Sequence, residues 1–354
     1  MTRHATILLV LVLWAGSAAA LPRYSAQYGQ RCALCHVDPT GGGMRNAYAT
    51  RALIPEELSF QQLEPEQTAA IRPDLSPTVA VGLDLRSLVY EGEGDRGGQL
   101  DMQGDVTVAV QMDARFAAYV NLGKGGTQEY AGLAYVLPHD GYLKAGRFTP
   151  DYGWGWADHK LPGRAYLLDP AGSRSPAALI DAGLEVGMHT QLWEVTASAL
   201  QGAAENGESY AARLALRRSY GPVNLVLGSS VLRRELAAGH ARAWGGFGAV
   251  AAGPLAWLFQ VDETGDGHRE GVLVTQELTW RLVRGIHLRG TYGHQDPDHR
   301  EASGSRSRWG AGFDSLLSPF FGVQVMASYH HLRQGDLVVG SDHWQGEMVL
   351  HFLY

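Results

Sequence analysis

Apolar and polar side chains alternate with a period of two along most of the chain from Thr78 onward. In the stretch QLDMQGDVTVAVQM, Val106 falls on an apolar face, and Asp105 and Thr107 fall on the opposite, polar face. This period is typical of a β-strand with one apolar and one wet side. About sixteen such segments occur, each close to the roughly ten residues with which a tilted strand crosses a membrane. Further examples are QLWEVTASAL (191–200), ESYAARLALRR (208–218) and FGVQVMASYHH (321–331).

The connections between these segments alternate in length. Short links contain DA at 113, PHDG at 138, YGP at 220, GP at 253, RG at 284 and SP at 318. Longer polar links contain EGEGDRGG at 91, AAENGE at 203, DETGDGHRE at 262 and HQDPDHREASGSR at 294. Outer-membrane barrels have short periplasmic turns and longer outer loops. The pattern therefore predicts an all-β fold, a transmembrane antiparallel outer-membrane β-barrel of about 16 strands. A soluble sandwich or propeller is the alternative.

The end of the chain supports the membrane interpretation. The stretch HWQGEMVLHFLY alternates Trp344, Met348, Leu350, Phe352 and Tyr354 on one face and ends on an aromatic residue. This resembles the C-terminal signal by which bacterial outer-membrane barrels are recognised for insertion. An even number of strands would leave both ends of the barrel on the periplasmic side.

The start of the chain is typical of an exported protein. Residues 1–20 combine a short basic start, an apolar run and small residues before a cleavage site after Ala20. A membrane-anchoring helix is the weaker alternative, because the apolar run is short. We predict a signal peptide over residues 1–20, a small N-terminal haem segment and linker over 21–77, and the barrel over 78–354.

Composition and charge agree with this organisation. The chain has 45 glycines, nine tryptophans and 18% charged residues, which suits many short strands and turns. The net charge of −7 argues against a nucleic-acid partner. Only two cysteines are present, and an exported protein would by default join them in a disulfide.

The two cysteines form a motif with its own chemistry. Cys32, Cys35 and His36 match the C-x-x-C-H pattern of c-type haem attachment, in which two thiols add to the porphyrin and the histidine binds the iron. A thioredoxin-like motif would need a βαβ unit, which the sequence lacks, and a structural zinc site would need about four ligands. A small disulfide loop would leave His36 unexplained. We predict one covalently attached haem c.

The second axial ligand of the iron is a separate question. Met44 follows His36 by eight residues in HVDPTGGGMRN and is the nearest candidate. Three glycines between them would let the backbone fold tightly against a porphyrin edge. Met44 as mere packing, with another ligand at the iron, is the alternative. The predicted metal ligands are therefore His36 and Met44.

The stretch PRYSAQYGQRCALCHVDPTGGGMRNAYATRA resembles the N-terminal motif of fused monohaem cytochrome–porins, a family of outer-membrane electron-transfer proteins. Its best-known relatives are iron-oxidising outer-membrane cytochromes. The resemblance implies thioether bonds at Cys32 and Cys35, with His36 as the proximal ligand. The continuation VDPTGGGMRNAY departs from the iron oxidases, so the resemblance implies electron transfer more strongly than ferrous iron as the substrate.

These features together predict a function. The chain would sit in the outer membrane of a Gram-negative bacterium, in contact with its lipid, with the haem segment on the periplasmic side or inside the barrel lumen. It would relay electrons between periplasmic c-type cytochromes and an extracellular donor or acceptor, a class that includes metal ions. The alternative is a solute porin whose haem segment is a plug or redox sensor. No recognisable catalytic constellation indicates an enzyme of another kind. The long connection at 149–176 is a candidate to fold into the lumen, or else to cap the barrel outside.

Overall fold

The computed structural model describes residues 22–93, 96–123, 128–156, 180–201, 208–236, 239–301, 304–332 and 342–354. The predicted signal peptide lies outside these ranges. Within them, none of the helices has the length and apolar character that crossing a membrane requires.

In the described ranges, sixteen antiparallel strands form one closed sheet, in which each strand pairs with its neighbours along the chain. A short strand, β1 (Asp74–Ser76), pairs with the beginning of the first of them. The sixteen are β2 (Val79–Gly92), β3 (Arg96–Gln111), β4 (Phe116–Gly123), β5 (Glu129–Leu137), β6 (Gly141–Phe148), β7 (Asp181–His189), β8 (Trp193–Leu200), β9 (Ser209–Tyr220), β10 (Val223–Leu236), β11 (Gly239–Ala252), β12 (Leu255–Gly265), β13 (Glu270–Val283), β14 (Ile286–Asp296), β15 (Arg306–Ser318), β16 (Phe321–Leu332) and β17 (His343–Leu353).

The sheet closes because the last strand pairs with the first. Met348 of β17 lies opposite Val89 of β2, and the backbone N–H of Leu83 donates to the carbonyl of Tyr354 at 2.9 Å. Closure leaves no exposed edge, which a barrel in lipid requires. The predicted barrel of about sixteen strands is confirmed, and its first and last strands begin and end at the same end of the barrel.

The short links fall together at that end. They include the turns at 221–222, 253–254 and 284–285, and we call this the short-turn end. One detail of the predicted loops is wrong. Strand β12 continues to Gly265, so Asp262 does not lie in an outer loop and instead has its side chain buried on the inner face.

The two faces of the strands differ as the alternation predicts. On β12, Trp257 and Val261 point outward and are exposed, whereas Gln260 and Thr264 point inward and are buried. Apolar side chains thus dominate the outer face of the barrel, and many buried polar side chains line its inner face beside apolar clusters. The outer surface suits contact with lipid.

Exposed tryptophans occur toward both ends of the outer surface. Trp257 and Trp280 lie near the short-turn end, and Trp309 and Trp344 lie near the other end. Amphipathic aromatic rings favour the boundary between hydrocarbon and water, and outer-membrane barrels have such belts at both interfaces. The tryptophans therefore mark an apolar band between them.

We call residues 22–72 the N-terminal segment; residues 22–59 lie against the inner face of the barrel, and most of residues 60–70 are exposed. The segment contains helix α1 (Pro22–Tyr28), a 3₁₀ turn (Cys32–Leu34), a π-helix (Ala49–Leu58) and helix α2 (Pro65–Ala70). Ala26 of α1 is 1% exposed and packs in one apolar cluster with residues of β9 to β12.

The π-helix occupies the neighbouring part of the interior. Its residues Leu53 and Ile54 pack with Leu316 of β15 and Leu353 of β17. Just after it, the N–H of Phe60 donates to the carbonyl of Leu316 at 2.7 Å. The segment therefore fills the interior at the short-turn end. Its apolar side chains are buried against the barrel wall, whereas a segment of about fifty residues is too small to form a hydrophobic core of its own.

Candidate functional site

The C-x-x-C-H motif forms a single tight turn inside the barrel. The backbone N–H groups of Cys35 and His36 both donate to the carbonyl of Cys32, at 3.0 and 3.1 Å. In a helical turn, side chains three and four positions apart are neighbours. The turn thus brings the two thiols and the imidazole together, and the thiols are not joined in a disulfide.

The imidazole of His36 has the properties of a metal ligand. It is 3% exposed, and neither ring nitrogen makes a hydrogen bond of normal geometry with the described part of the chain. Burial, followed by the positive charge of Arg45, lowers the pKa of His36 to about 4. The ring is therefore neutral at pH 7 and keeps a lone pair for iron. A buried imidazole beside two thiols, with the backbone of Gly42 and Gly43 close to it, has the donor set of a covalently attached haem.

A glycine covers the first thiol. Gly41 has a φ of +95°, and a Cβ added there would come within 3.0 Å of the Cβ and 3.2 Å of the Sγ of Cys32. Both the backbone conformation and the close contact require glycine at this position. Burial raises the pKa of the Cys32 thiol to about 12. The first thiol is therefore covered on one side by Gly41 and half-buried.

Met44 lies away from the imidazole. His36 pairs with Arg45 in an antiparallel bridge, and the N–H of Val37 donates to the carbonyl of Met44 at 3.1 Å. Side chains alternate across such a ribbon, so His36 and Arg45 share one face, and Val37 and Met44 share the other.

The Met44 side chain instead packs on the barrel wall. It is buried in one cluster with Ala109, Ala117 and Tyr119, and a Cβ added at Gly82 would lie 2.8 Å from its Cγ. The structure does not bring Met44 to the imidazole of His36, and its role as second ligand stays a prediction.

A buried ion-pair network fixes the residues that follow the motif. The ammonium of Lys144, which is fully buried, lies 3.3 Å from a carboxylate oxygen of Asp38 and 2.8 Å from one of Glu185. The hydroxyl of Tyr119 donates to Asp38 at 2.6 Å, and that of Tyr142 donates to Glu185 at 3.0 Å. Side chains of the barrel wall thus bind Asp38, two residues after His36.

A second network holds helix α1. The guanidinium of Arg23 donates to Asp314 at 2.6 Å and lies 3.6 Å from Glu277, which also pairs with Arg289 at 2.7 Å. These groups are all buried, so the two carboxylates compensate the cation of α1 in the interior. Neither network was predicted, since its members are far apart in sequence and no motif marks them.

The beginning of the long connection after β6 folds into the lumen. Trp154 is 3% exposed and packs edge-to-face on Phe247 at 5.3 Å between ring centroids. Its backbone N–H and the indole N–H of Trp156 both donate to the side-chain oxygen of Gln260, at 2.9 and 3.0 Å. Of the two readings predicted for this connection, the inward fold holds for residues 152–156. Residues 157–179 lie outside the described ranges.

Arg213 interacts both with this inward stretch and with the C-x-x-C-H motif. Arg213 donates to the carbonyl of Gly153 at 2.9 Å and to Glu194 at 2.6 Å, and its guanidinium stacks over Phe247 at 4.7 Å. Its charge also acts on the thiol of Cys32. The N-terminal segment and the inward stretch therefore form one packed unit across the lumen.

Comparison with known proteins identifies the fold. Neither a scan of protein-family models nor a search of curated proteins found a match. Among solved structures, OmpT of Vibrio cholerae superposes with a TM-score of 0.59 at 12% identity, covering 79% of this chain and 100% of that one. An anion-selective porin from Comamonas acidovorans gives 0.57 at 10% identity, covering 78% and 99%. OmpF of Salmonella typhi gives 0.53 at 10% identity, covering 78% and 97%. The chain therefore has the fold of the outer-membrane porin barrels.

Proposed function

We propose that this chain is an outer-membrane cytochrome–porin. It relays electrons between periplasmic c-type cytochromes and an extracellular donor or acceptor through one covalently bound haem c. The observation that carries the proposal is the position of the C-x-x-C-H turn, whose buried His36 lies inside a closed barrel. A barrel alone would conduct solutes, and a haem motif alone would be a soluble cytochrome; their combination favours electron transfer across the membrane.

The outer membrane of a Gram-negative bacterium is the location that the fold and the surface support. The outward side chains are apolar, and exposed tryptophans flank them toward both ends. Short turns face the periplasm in barrels of this kind. The N-terminal segment would therefore enter the lumen from the periplasm.

Cys32 and Cys35 would be the attachment points of the haem, and His36 would bind its iron. A haem bound there supplies a carrier of single electrons. Because Gly41 lies against the half-buried Cys32, we expect attachment to precede docking of the segment into the barrel.

The side chains inside the barrel would prevent solutes from passing through the lumen. Arg23 and Asp38 tie the N-terminal segment to the wall through buried ion pairs. Trp154 and Trp156 fill the lumen beside helix α1. Solutes would then be excluded while the layer of roughly 25 Å that the barrel spans is bridged.

The partners follow from the two ends of the barrel. A periplasmic c-type cytochrome would dock at the short-turn end, where the N-terminal segment lies. The partner at the other end is an extracellular electron donor or acceptor, and metal ions belong to this class through the resemblance to iron oxidases. The direction of electron flow depends on the reduction potential.

Covalent haem content tests the proposal. The full chain is produced with the periplasmic haem-attachment machinery, and haem per chain is measured by mass spectrometry and by a haem stain after denaturation. We expect one haem in the wild type and none in the Cys32→Ala, Cys35→Ala variant. A wild-type protein without covalent haem would overturn the proposal.

A second candidate function is favoured by the likeness to porins. The chain would be a solute channel, with the N-terminal segment as its plug or redox sensor. Conductance in planar bilayers separates the two functions. A conductance that changes when the protein is reduced supports the channel, and a closed barrel in both redox states supports electron transfer.

A further inference from the structure

Arg45 is the charged side chain that the fold places next to His36. The two residues are paired in an antiparallel bridge, so their side chains leave the ribbon on the same face. The charge of Arg45 acts on the imidazole of His36 and on the thiol of Cys35. A cation therefore lies beside two members of the motif.

The barrel fixes this cation in place. The guanidinium of Arg45 donates to the carbonyl of Pro319, in the turn between β15 and β16, at 3.2 Å. Asp84 of β2 attracts it. Pro319 and Asp84 belong to the barrel, so the position of the charge is set by the wall rather than by the N-terminal segment alone.

The surrounding charges do not cancel it. Asp84 also lies 3.7 Å from Arg86, so two arginines share one carboxylate. Arg86 donates to Nε2 of His351 at 2.7 Å, which makes that ring an acceptor at this nitrogen. The group of Arg45, Arg86 and Asp84 therefore keeps a net positive charge.

Asp38, the anion that follows the motif, shares the cation of Lys144 with Glu185, so this group keeps a net negative charge. Asp38 is held by the ammonium of Lys144 and by the hydroxyl of Tyr119. Both Arg45 and Asp38 act on the imidazole of His36, and the effect of the cation Arg45 is the larger of the two.

We propose that Arg45 raises the reduction potential of the haem bound by His36. Oxidation of the iron adds one positive charge, and a nearby cation in a poorly solvated site disfavours that charge. Reduction adds one electron to the same iron and removes the extra charge. This inference rests on the proposed function. Arg45 would help to set the reduction potential, and the potential decides which partners can exchange electrons with the haem.

Redox titration of the haem-loaded protein tests the inference. The midpoint potential is followed by the visible spectrum of the wild type and of Arg45→Gln, Arg45→Lys and Arg51→Gln. Arg51 is exposed and belongs to the same segment, so Arg51→Gln removes the same charge at a distance. A unit charge about 10 Å away at an effective dielectric constant near 20 changes an equilibrium about tenfold. We therefore expect Arg45→Gln to lower the potential by about 59 mV, the tenfold shift for one electron.

The remaining variants distinguish an effect of the charge of Arg45 from an effect on the structure around it. Arg45→Lys should keep most of the potential, and Arg51→Gln should leave it unchanged. Asp84→Asn removes the neighbouring anion and should raise the potential, which a merely structural role of this region would not do. If Arg45→Gln does not fold, the rise in Asp84→Asn still decides the matter.

Two failures remain distinguishable. Wild-type protein without covalent haem overturns the proposed function and this inference with it. Haem-loaded variants with the potential of the wild type overturn the inference alone and leave the proposed function standing.

Discussion

Replacing Lys144 with methionine should release the N-terminal segment from the barrel wall. Lys144 is fully buried and lies between Asp38 of the segment and Glu185 of the wall, at 3.3 and 2.8 Å. Methionine has a similar length but no charge, so the substitution leaves two carboxylates buried without their cation. The barrel itself keeps all its strand pairings.

The expected magnitude follows from this burial. Breaking a buried ion pair by removing one partner costs about 3–5 kcal/mol. The contact with Asp38 ties the segment to the wall, so the loss falls on docking of the segment rather than on the barrel. Since about 1.4 kcal/mol is a factor of ten, the open population of the segment should rise roughly 100- to 4,000-fold.

Hydrogen exchange measures this opening directly. The amide of Val37 donates to Met44 and that of Asn46 donates to Cys35, so both should exchange faster in Lys144→Met. Arg242→Met is the matched control, because its pair with Glu270 is exposed and should contribute at most about 1 kcal/mol. Unchanged exchange in Lys144→Met, or an equal change in the control, would refute this reasoning.

Three further substitutions probe the interior. Gly82→Val places a methyl group against the side chain of Met44 and should destabilise docking of the segment by about 1–3 kcal/mol, read from the same amide exchange; exchange as in the wild type would contradict it. Gly41→Ala forces a strained φ over Cys32 and should cost about 1–3 kcal/mol, seen as earlier thermal exposure of the segment to protease; an unchanged transition would count against it. Trp154→Ala removes a buried ring from the lumen and should raise single-channel conductance in planar bilayers; a conductance equal to that of the wild type would show that this ring does not obstruct the lumen.

The barrel could be predicted from the sequence because its rule is local. Lipid outside and polar groups inside impose a two-residue period on every strand, and each strand shows it without reference to its partners. The ends of the strands depend on distant contacts. Asp262 belongs to a stretch that the sequence places in a polar link, but it lies on β12 and accepts a hydrogen bond inside the lumen from Tyr152, 110 residues away.

The candidate site was predictable only in part, for the same reason. The spacing of Cys32, Cys35 and His36 is a local signal, and the turn that brings them together is local as well. The groups that anchor the site are not local. Lys144 is 106 residues from Asp38, and nothing in its own stretch identifies Asp38 as its partner. A lysine at an inward-facing position of a strand was the one available signal.

The role of Met44 as second ligand stays a prediction, because spacing alone does not fix the face of the ribbon on which its side chain lies. Distance along the chain and the three glycines favoured it as a ligand. The bridge between His36 and Arg45 decides which face each side chain takes, and this pairing is not encoded by spacing. Sequence periodicity within so short a ribbon cannot specify its register.

Electron transfer across a sealed membrane tests the central claim most directly. Haem-loaded protein is placed in liposomes that hold an oxidising dye, and a reductant that cannot cross the membrane is added outside. Liposomes with the Cys32→Ala, Cys35→Ala barrel are the control for leakage. The proposed function predicts that the dye is bleached only in liposomes that carry the haem-loaded protein. Equal bleaching in both, which means that the reductant passes through the barrel, or bleaching in neither, would contradict it.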